Sequence, residues 1–215
     1  MPAQLYVVTG TGTGVGKTHV SVAMLHAWRS EGLRAVGWKP IETGVTDGVG
    51  EDEARLRAAS SFHVKHPRAV FTPPVSPHLA ARQAGTRLPL TEFANAVADL
   101  RTHLDRLLVE LPGGLCTPLS DDTLNLDFIA TFEPDAVVLV APNRIGVLHD
   151  VLATLKAAAP SQLPWARIVL SAHPTPDAST TSNAAELRRF VSIPVLDIPR
   201  SDDPRALAGY FAPSP

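Results

Sequence analysis

Apolar, β-branched runs alternate along the chain with segments whose apolar residues recur at every third or fourth position. The first pattern predicts strands and the second predicts amphipathic helices. The run 137–140 is apolar at every position, which is typical of a central strand in a parallel sheet. The alternation therefore predicts an α/β fold in which helices cover both faces of a parallel sheet. The predicted strands are 5–9, 35–38, 106–110, 135–141, 166–171 and 195–198, and the predicted helices are 17–30, 52–61, 92–104, 126–132, 146–159 and 184–191.

Two segments between these elements, 63–89 and 173–183, are rich in proline, serine and threonine. This composition is typical of loops, and the first segment is long enough to cover a substrate. A chain of 215 residues fits one large domain with a substantial core. Because no internal repeat interrupts the pattern, we expect residues 1–215 to form a single domain.

The composition is that of a soluble globular protein, with 45% hydrophobic and 19% charged residues. A net charge of −2 gives no sign of a nucleic acid or an anionic membrane as a partner. The N-terminus lacks a signal-peptide pattern, and no apolar run reaches the roughly 18 residues of a membrane helix. Cys116 is the single cysteine, so no internal disulfide is possible, and we expect its side chain to be buried. These features predict a cytoplasmic protein.

A glycine-rich segment, GTGTGVGKT at 10–18, lies between the first predicted strand and the first predicted helix. Glycines bring backbone N–H groups close to phosphate oxygens, and the start of a helix favours an anion. We expect Lys17 to reach the β- and γ-phosphates and the Thr18 hydroxyl to bind Mg²⁺. Thr11 stands where the usual phosphate-loop pattern has its first glycine, which indicates a variant P-loop in a P-loop NTPase-like fold. The residues expected to bind the nucleotide are Gly12, Thr13, Gly14, Val15, Gly16, Lys17 and Thr18.

Lys39 follows the second predicted strand, in the segment KPIETG at 39–44. The carboxyl ends of parallel strands meet at one edge of a sheet, so Lys39 is expected to face the same crevice as the glycine-rich loop. Two cations in that crevice, Lys17 and Lys39, would neutralise a phosphoryl group during its transfer.

Two carboxylates are candidates for a metal site at the same edge. Glu110 ends the third predicted strand, and Asp52 lies in the acidic run 51–53. Magnesium prefers oxygen ligands, often one or two carboxylates together with substrate phosphates and water. We therefore expect Thr18, Asp52 and Glu110 to provide the protein ligands of Mg²⁺.

Together these segments resemble the dethiobiotin synthetases, a family of ATP-dependent P-loop enzymes. The resemblance implies a homodimer and a ring-closing ligase of biotin biosynthesis. In the implied reaction CO₂ adds to one amine of 7,8-diaminopelargonic acid, ATP phosphorylates the carbamate, and the second amine closes a cyclic urea with release of ADP and phosphate. The segments that carry the resemblance are VTGTGTGVGKT at 8–18, KPIETG at 39–44, SPHLAA at 76–81, and Val109-Glu110 with Gly113-Gly114, within a stretch from about residue 7 to about residue 199.

The resemblance also implies roles for individual residues. Thr13 and Lys39 would contact the carbamate and the γ-phosphate, and Lys17 would bind phosphates, which makes these three the expected catalytic residues. Thr43 and Pro77 would join Thr13 and Lys39 on the side of the diamine.

Other functions remain open from the sequence. A nucleotide-switch ATPase that acts through a protein partner is disfavoured, because such proteins commonly carry a second lysine in the loop before Lys17. A cobyrinic-acid-type amide ligase is disfavoured because the chain has no room for a glutamine-hydrolysing domain. A member of the family with an altered substrate is compatible with Leu111-Pro112, where the family has Gly-Ala. The nucleotide base is open too, because Ala172 stands where the family often has an asparagine.

Overall fold

The structure is a computed structural model that describes residues 2–46 and 48–212. The strands are β1 (Gln4–Gly10), β2 (Ala35–Trp38), β3 (Ile41–Thr43), β4 (Ala69–Phe71), β5 (Arg106–Glu110), β6 (Ala136–Asn143), β7 (Trp165–Ala172) and β8 (Val195–Ile198). The α-helices are α1 (Lys17–Ser30), α2 (Glu51–Ala59), α3 (Pro77–Gln83), α4 (Leu90–Leu100), α5 (Asn125–Thr131), α6 (Val147–Ala158) and α7 (Asn183–Leu187). Short 3₁₀ helices span Ala159–Ser161 and Pro204–Tyr210.

Six strands form a parallel sheet in the order β2-β5-β1-β6-β7-β8. The central strand β1 pairs with β5 on one side and with β6 on the other. Its residue Val8 lies opposite Glu110, and Trp38 of β2 lies opposite Val109. This register brings Lys39, the residue after β2, to the level of Glu110. The predicted fold, a parallel sheet with helices on both faces, is confirmed.

Alternate residues of the strands build the cores on the two faces of the sheet. Leu107 and Val109 of β5 pack on the face covered by α4 and α5, whereas Leu108 packs on the face covered by α1. A further core under α6 and α7 includes Leu139 and Leu170. Because apolar side chains pack on both faces of the sheet, the polar residues that follow the strands are concentrated at the edge formed by the strands' carboxyl ends.

The segment 63–89, predicted to be a loop, contains a strand and a helix. β4 pairs in parallel with β3 to form a second, two-stranded sheet, and α3 follows. β4 was missed because a three-residue strand is too short to show an alternating pattern. α3 was missed because Pro77 suggests a turn, although proline is well tolerated in the first turn of a helix. The predicted helix 92–104 begins earlier and ends at Leu100.

Across the described part of the chain, every helix is too short or too polar to cross a bilayer.

Candidate active site

The glycine-rich loop connects β1 to α1 and leaves the first amides of α1 open to a ligand. Gly16 is the residue before the helix, with φ +94°, and as a glycine it has no side chain to cap the helix. A Cβ at Gly16 would overlap the hydroxyl of Ser171, so both the backbone angle and the space require glycine. The first N–H groups of a helix have no intrahelical partner, and they carry a partial positive charge. This loop can therefore bind an anion.

A cavity of about 630 Å³ opens beside this loop at the carboxyl edge of the sheet. It brings together the residues that the sequence predicted for the site, apart from Gly12 and Val15. Gly12 accepts a hydrogen bond from Lys17 through its carbonyl oxygen, and Val15 lines a neighbouring cavity. The predicted residues that line the larger cavity are Thr13, Gly14, Gly16, Lys17, Thr18, Lys39, Thr43, Asp52, Pro77 and Glu110.

Glu110 lies at the centre of the polar network in this cavity. Its side chain has no exposed surface, and its Oε1 accepts hydrogen bonds from Lys39 Nζ at 2.8 Å and from Thr18 Oγ1 at 2.7 Å. Its Oε2 accepts a hydrogen bond from Ser21 Oγ at 2.8 Å. A buried carboxylate is costly unless it is paired and hydrogen-bonded, and here both oxygens have partners.

Lys39 is held between two carboxylates. Its ammonium pairs with Asp52 as well as with Glu110. Burial alone would lower the pKa of Lys39, but the two carboxylates outweigh this effect and raise it. Burial would likewise raise the pKa of Asp52, but Lys39 and a hydrogen bond from Thr18 lower it. Lys39 is therefore a fixed cation beside an ionised Asp52 over the physiological pH range.

Lys17 has a different environment, although it lies in the same cavity. Its Nζ donates a hydrogen bond to the carbonyl oxygen of Gly12 at 3.0 Å. Burial lowers its pKa to about 8; Glu110 opposes this shift and the charge of Lys39 adds to it. Lys17 is thus a buried cation, and among the residues that the structure describes no carboxylate lies in ion-pair contact with it, so it is suited to an anionic ligand.

The oxygens of Thr18, Asp52 and Glu110 suit Mg²⁺. One hydroxyl and two carboxylates are hard oxygen donors. The carboxylates of Asp52 and Glu110 both pair with the Lys39 ammonium, and the Thr18 hydroxyl donates a hydrogen bond to Oε1 of Glu110. Within residues 2–46 and 48–212, no three His, Cys, Asp or Glu side chains cluster in a way that would hold a metal. The three oxygens would therefore form only part of a Mg²⁺ shell, in which nucleotide phosphates and water supply the other ligands.

The opposite wall of the cavity comes from the second sheet and the loop after β5. Thr43 ends β3, and Pro77 begins α3. Pro112 and Gly113 close the cavity from the other side. The carbonyl oxygens of Pro112 and Gly114 accept hydrogen bonds from the buried Asn125 side chain at 2.6 and 2.8 Å.

A second cavity of about 250 Å³ continues from the first across the start of α1. Gly14, Gly16 and His19 line both cavities. Ala172 and Arg200 line the far part of the second one. The two cavities together form a path from the catalytic edge to the loops after β7 and β8.

Sequence reasoning missed several residues of this region. Ser21 could have been found, because it lies three residues after Thr18 on the same face of a helix. Glu42 stands inside the KPIETG segment but had no assigned role, and nothing in the local pattern marks Asn125. Cys116 is exposed, so the expectation that it is buried was wrong.

Comparison with known proteins gives relatives that match most of the chain. A family model described as an AAA domain matches residues 4–203. An ATP-dependent dethiobiotin synthetase BioD from Ralstonia nicotianae is 38% identical over 209 residues, which cover 93% of this chain and 90% of that protein. The protein of the same name from Nitrosospira multiformis is 35% identical over 90% of this chain and 86% of its own length. The one from Caulobacter sp. is 37% identical over 98% of this chain and 94% of its own length.

Solved structures of P-loop NTPases share the fold at low sequence identity. A ParA family ATPase from Chlorobium tepidum TLS has a TM-score of 0.59 at 12% identity, over 97% of this chain and 92% of that one. The septum site-determining protein MinD from Pyrococcus horikoshii OT3 has a TM-score of 0.58 at 17% identity, over 99% of this chain and 87% of that one. At such identities the likeness concerns the fold alone.

Proposed function

The chain belongs to the ATP-dependent dethiobiotin synthetase family, and we propose that it converts 7,8-diaminopelargonic acid, CO₂ and ATP into dethiobiotin, ADP and phosphate in biotin biosynthesis. One observation within the molecule supports this proposal above the others. Lys39, paired with two carboxylates, shares a cavity with the P-loop lysine Lys17. That pair of cations suits transfer of a phosphoryl group to a small acceptor inside the cavity.

In the proposed complex the triphosphate lies along the glycine-rich loop. The amides of the loop and of the start of α1 bind its oxygens, and Lys17 binds the β- and γ-phosphates. The nucleoside occupies the second cavity, beyond His19. Since the methyl group of Ala172 cannot form hydrogen bonds, backbone groups or Arg200 would contact the base there.

The chemistry needs no covalent intermediate on the enzyme. One amine of the substrate adds to the carbon of CO₂ and loses a proton, which gives a carbamate. A carbamate oxygen forms a bond to the γ-phosphorus while the bond from that phosphorus to the β,γ-bridging oxygen breaks, so that ADP leaves. The second amine then attacks the carbonyl carbon, loses a proton, and expels phosphate as the ring closes.

Catalysis in this scheme comes from position and charge. Lys39 and Thr13 contact the carbamate and the transferring phosphoryl group, while Lys17 holds the phosphates. Thr43 and Pro77 bind the diamine on the opposite wall. Because Lys39 remains protonated in its carboxylate pair, it acts as a fixed positive charge and not as a base.

We include Mg²⁺ in the proposal, held by Thr18, Asp52 and Glu110. When bound, the ion neutralises charge on the phosphate oxygens. The donor set suits this role because Thr18, Asp52 and Glu110 line the same cavity as the P-loop lysine Lys17. We also propose a homodimer, as the family resemblance implies; light scattering after size exclusion should give twice the mass of one chain.

The test is phosphate release from each of the four common nucleoside triphosphates with Mg²⁺, with and without the diamine and bicarbonate. We expect release to require both co-substrates and to yield dethiobiotin, identified by its mass. Release that ignores the diamine would contradict the proposal and favour a nucleotide switch. Absence of dethiobiotin together with activity on another diamine would favour a family member with an altered substrate.

A further inference from the structure

Helix α2 begins without a capping side chain of its own, and a residue from the second sheet takes over that role. The residue before the helix is Gly50, which has no side chain to offer. The carboxylate of Glu42 in β3 accepts the backbone N–H of Asp52 at 3.0 Å through Oε1 and that of Glu53 at 3.3 Å through Oε2. Amides that would otherwise lack a partner in the first turn are thus bound by a remote carboxylate.

The close approach of Glu42 depends on glycine at position 50. Gly50 has φ +83°, and a Cβ there would overlap the Glu42 carboxylate, including both of its oxygens. Any side chain at position 50 would therefore strain the backbone and displace the carboxylate from the helix. The hydrogen bonds from α2 to Glu42 therefore require glycine at position 50.

Arg68, next to β4, holds the same segment from the other side. Its Nη2 lies 3.3 Å from Glu42 Oε2 and donates a hydrogen bond to the carbonyl oxygen of Val49 at 2.7 Å. The Glu42 side chain is 9% exposed and that of Arg68 is 18% exposed, so water competes weakly for these bonds. Glu42 and Arg68 together fix the chain on both sides of Gly50.

The segment fixed in this way contacts both the side-chain ammonium and the backbone N–H of Lys39. The carboxylate of Asp52 pairs with the Lys39 ammonium, and Oε2 of Glu53 accepts the backbone N–H of Lys39 at 3.1 Å. Asp52 is 35% exposed on its side chain, so packing alone holds it weakly. Its place beside Lys39 depends on the backbone that Glu42 binds.

We propose that Glu42 is a positioning residue for the metal–nucleotide site: by binding the first amides of α2, it places Asp52 as a metal ligand and places Glu53 against Lys39. This inference rests on the proposed function for the identity of the ion. Glu42 lines the cavity, but its two carboxylate oxygens accept hydrogen bonds from two amides and from Arg68, so its proposed effect on the metal is exerted through Asp52.

The test compares Glu42→Gln with Glu51→Gln, a matched change of an exposed carboxylate in the first turn of the same helix. The glutamine keeps the shape but puts an NH₂ group against an amide or against Arg68. The first readout is Mn²⁺ binding to the complex with a non-hydrolysable ATP analogue, followed by electron paramagnetic resonance. Hydrogen exchange of a peptide covering residues 48–56 is the second readout.

We expect Glu42→Gln to weaken Mn²⁺ binding about tenfold, as supporting residues of metal ligands do, and to speed exchange at the amides of Asp52 and Glu53. Binding of the analogue without metal should be unchanged, and Glu51→Gln should match the wild type in every measurement. Unchanged Mn²⁺ affinity in Glu42→Gln would overturn the inference. An equal loss of affinity for the ATP analogue in the presence and in the absence of metal would overturn it too.

A double-mutant cycle separates positioning from a general structural effect. If Glu42 acts through Asp52, then Glu42→Gln should cause little further loss of Mn²⁺ affinity in an Asp52→Asn background. Additive losses would contradict the inference. If circular dichroism shows that Glu42→Gln does not fold, Arg68→Lys supplies the test. We expect it to lower Mn²⁺ affinity by less than tenfold, and no loss of Mn²⁺ affinity would contradict the inference.

These readouts stay informative whatever the reaction is. Metal binding and hydrogen exchange need neither the diamine nor turnover. A wild-type protein that makes no dethiobiotin but shows the Glu42 effects would contradict the proposed reaction and leave the positioning role intact. A wild-type protein that makes dethiobiotin, with no effect of Glu42→Gln on Mn²⁺ binding or hydrogen exchange, would contradict only the role of Glu42.

Discussion

The ammonium of Lys39 lies 2.8 Å from Oε1 of Glu110, a carboxylate whose side chain has no exposed surface. Lys39 directly follows β2 and Glu110 ends β5, and the register of these neighbouring strands brings the two residues together. Removing one partner of a buried pair leaves an uncompensated charge and typically costs about 3–5 kcal/mol. The pair therefore links the stability of the sheet's edge to the charge needed in the cavity.

Replacement of Lys39 should separate turnover from nucleotide binding. We expect Lys39→Met, which keeps most of the apolar stem, to lower kcat by about 10²–10³-fold. The dissociation constant for ATP should change by less than about threefold, because Lys39 is proposed to act on the transferring group. Steady-state kinetics and ATP titration measure the two quantities. Lys65→Met, at an exposed position, is the control, and equal losses in both quantities would instead make Lys39 a general binding residue.

The pKa of Lys17 predicts a pH dependence of nucleotide binding. Burial lowers this pKa to about 8 in the free protein, and bound phosphates would raise it again. Lys17 must then take up a proton on binding at alkaline pH, so affinity should fall between pH 7.5 and 9. Calorimetry in two buffers of different ionisation enthalpy measures that uptake. Lys17→Arg should remove the uptake above pH 8, and uptake that persists in the variant would assign the proton to another group.

Gly16→Ala should strongly weaken nucleotide binding. An alanine at φ +94° is strained, and its methyl group would overlap the Ser171 hydroxyl. Strain of this kind costs about 1–3 kcal/mol and would shift the loop that is proposed to hold the phosphates. Gly209→Ala is a suitable control, because a Cβ there meets nothing within 4 Å. Thermal unfolding with and without ATP gives both effects, and normal stabilisation of Gly16→Ala by ATP would contradict the role of the loop.

Asn125→Ala should affect stability and the diamine together. The change leaves the carbonyl oxygens of Pro112 and Gly114 without their buried donor, which costs about 1–3 kcal/mol. Because Pro112 and Gly113 line the cavity, we expect KM for the diamine to rise more than KM for ATP. Asn95→Ala on the exposed face of α4 is the matched control. Equal increases in both KM values would show that the loop does not face the diamine.

Much of the fold was predictable because apolar strand runs alternate with helix-period segments along the chain. The helix at 17–30 and the strands at 35–38, 106–110 and 195–198 have the bounds that the pattern predicted. β3, β4 and α3 were missed because three strand residues, or a helix opening on proline, show too little periodicity. These short elements form the wall of the cavity that carries Glu42 and Pro77. The elements that the pattern missed therefore belong to the candidate site more than to the hydrophobic core.

For the site, local motifs identified Lys17, Thr18, Lys39 and Glu110, since each lies at the end of a strand or the start of a helix. The rule that parallel strands open their ligand sites at one edge was enough to expect them in one crevice. Their assignment to individual ligands stays a prediction until binding is measured.

The sequence by itself determined the α/β class, the glycine-rich loop and the residue types at the edge of the sheet. Only the tertiary structure decided which groups satisfy one another: Ser21 with Glu110, Glu42 with the first amides of α2, and Asn125 with the loop after β5. Periodicity and motifs report local preference, whereas these bonds join residues that are distant along the chain. They form because a buried polar group must find a partner, and packing alone determines which partner lies within reach.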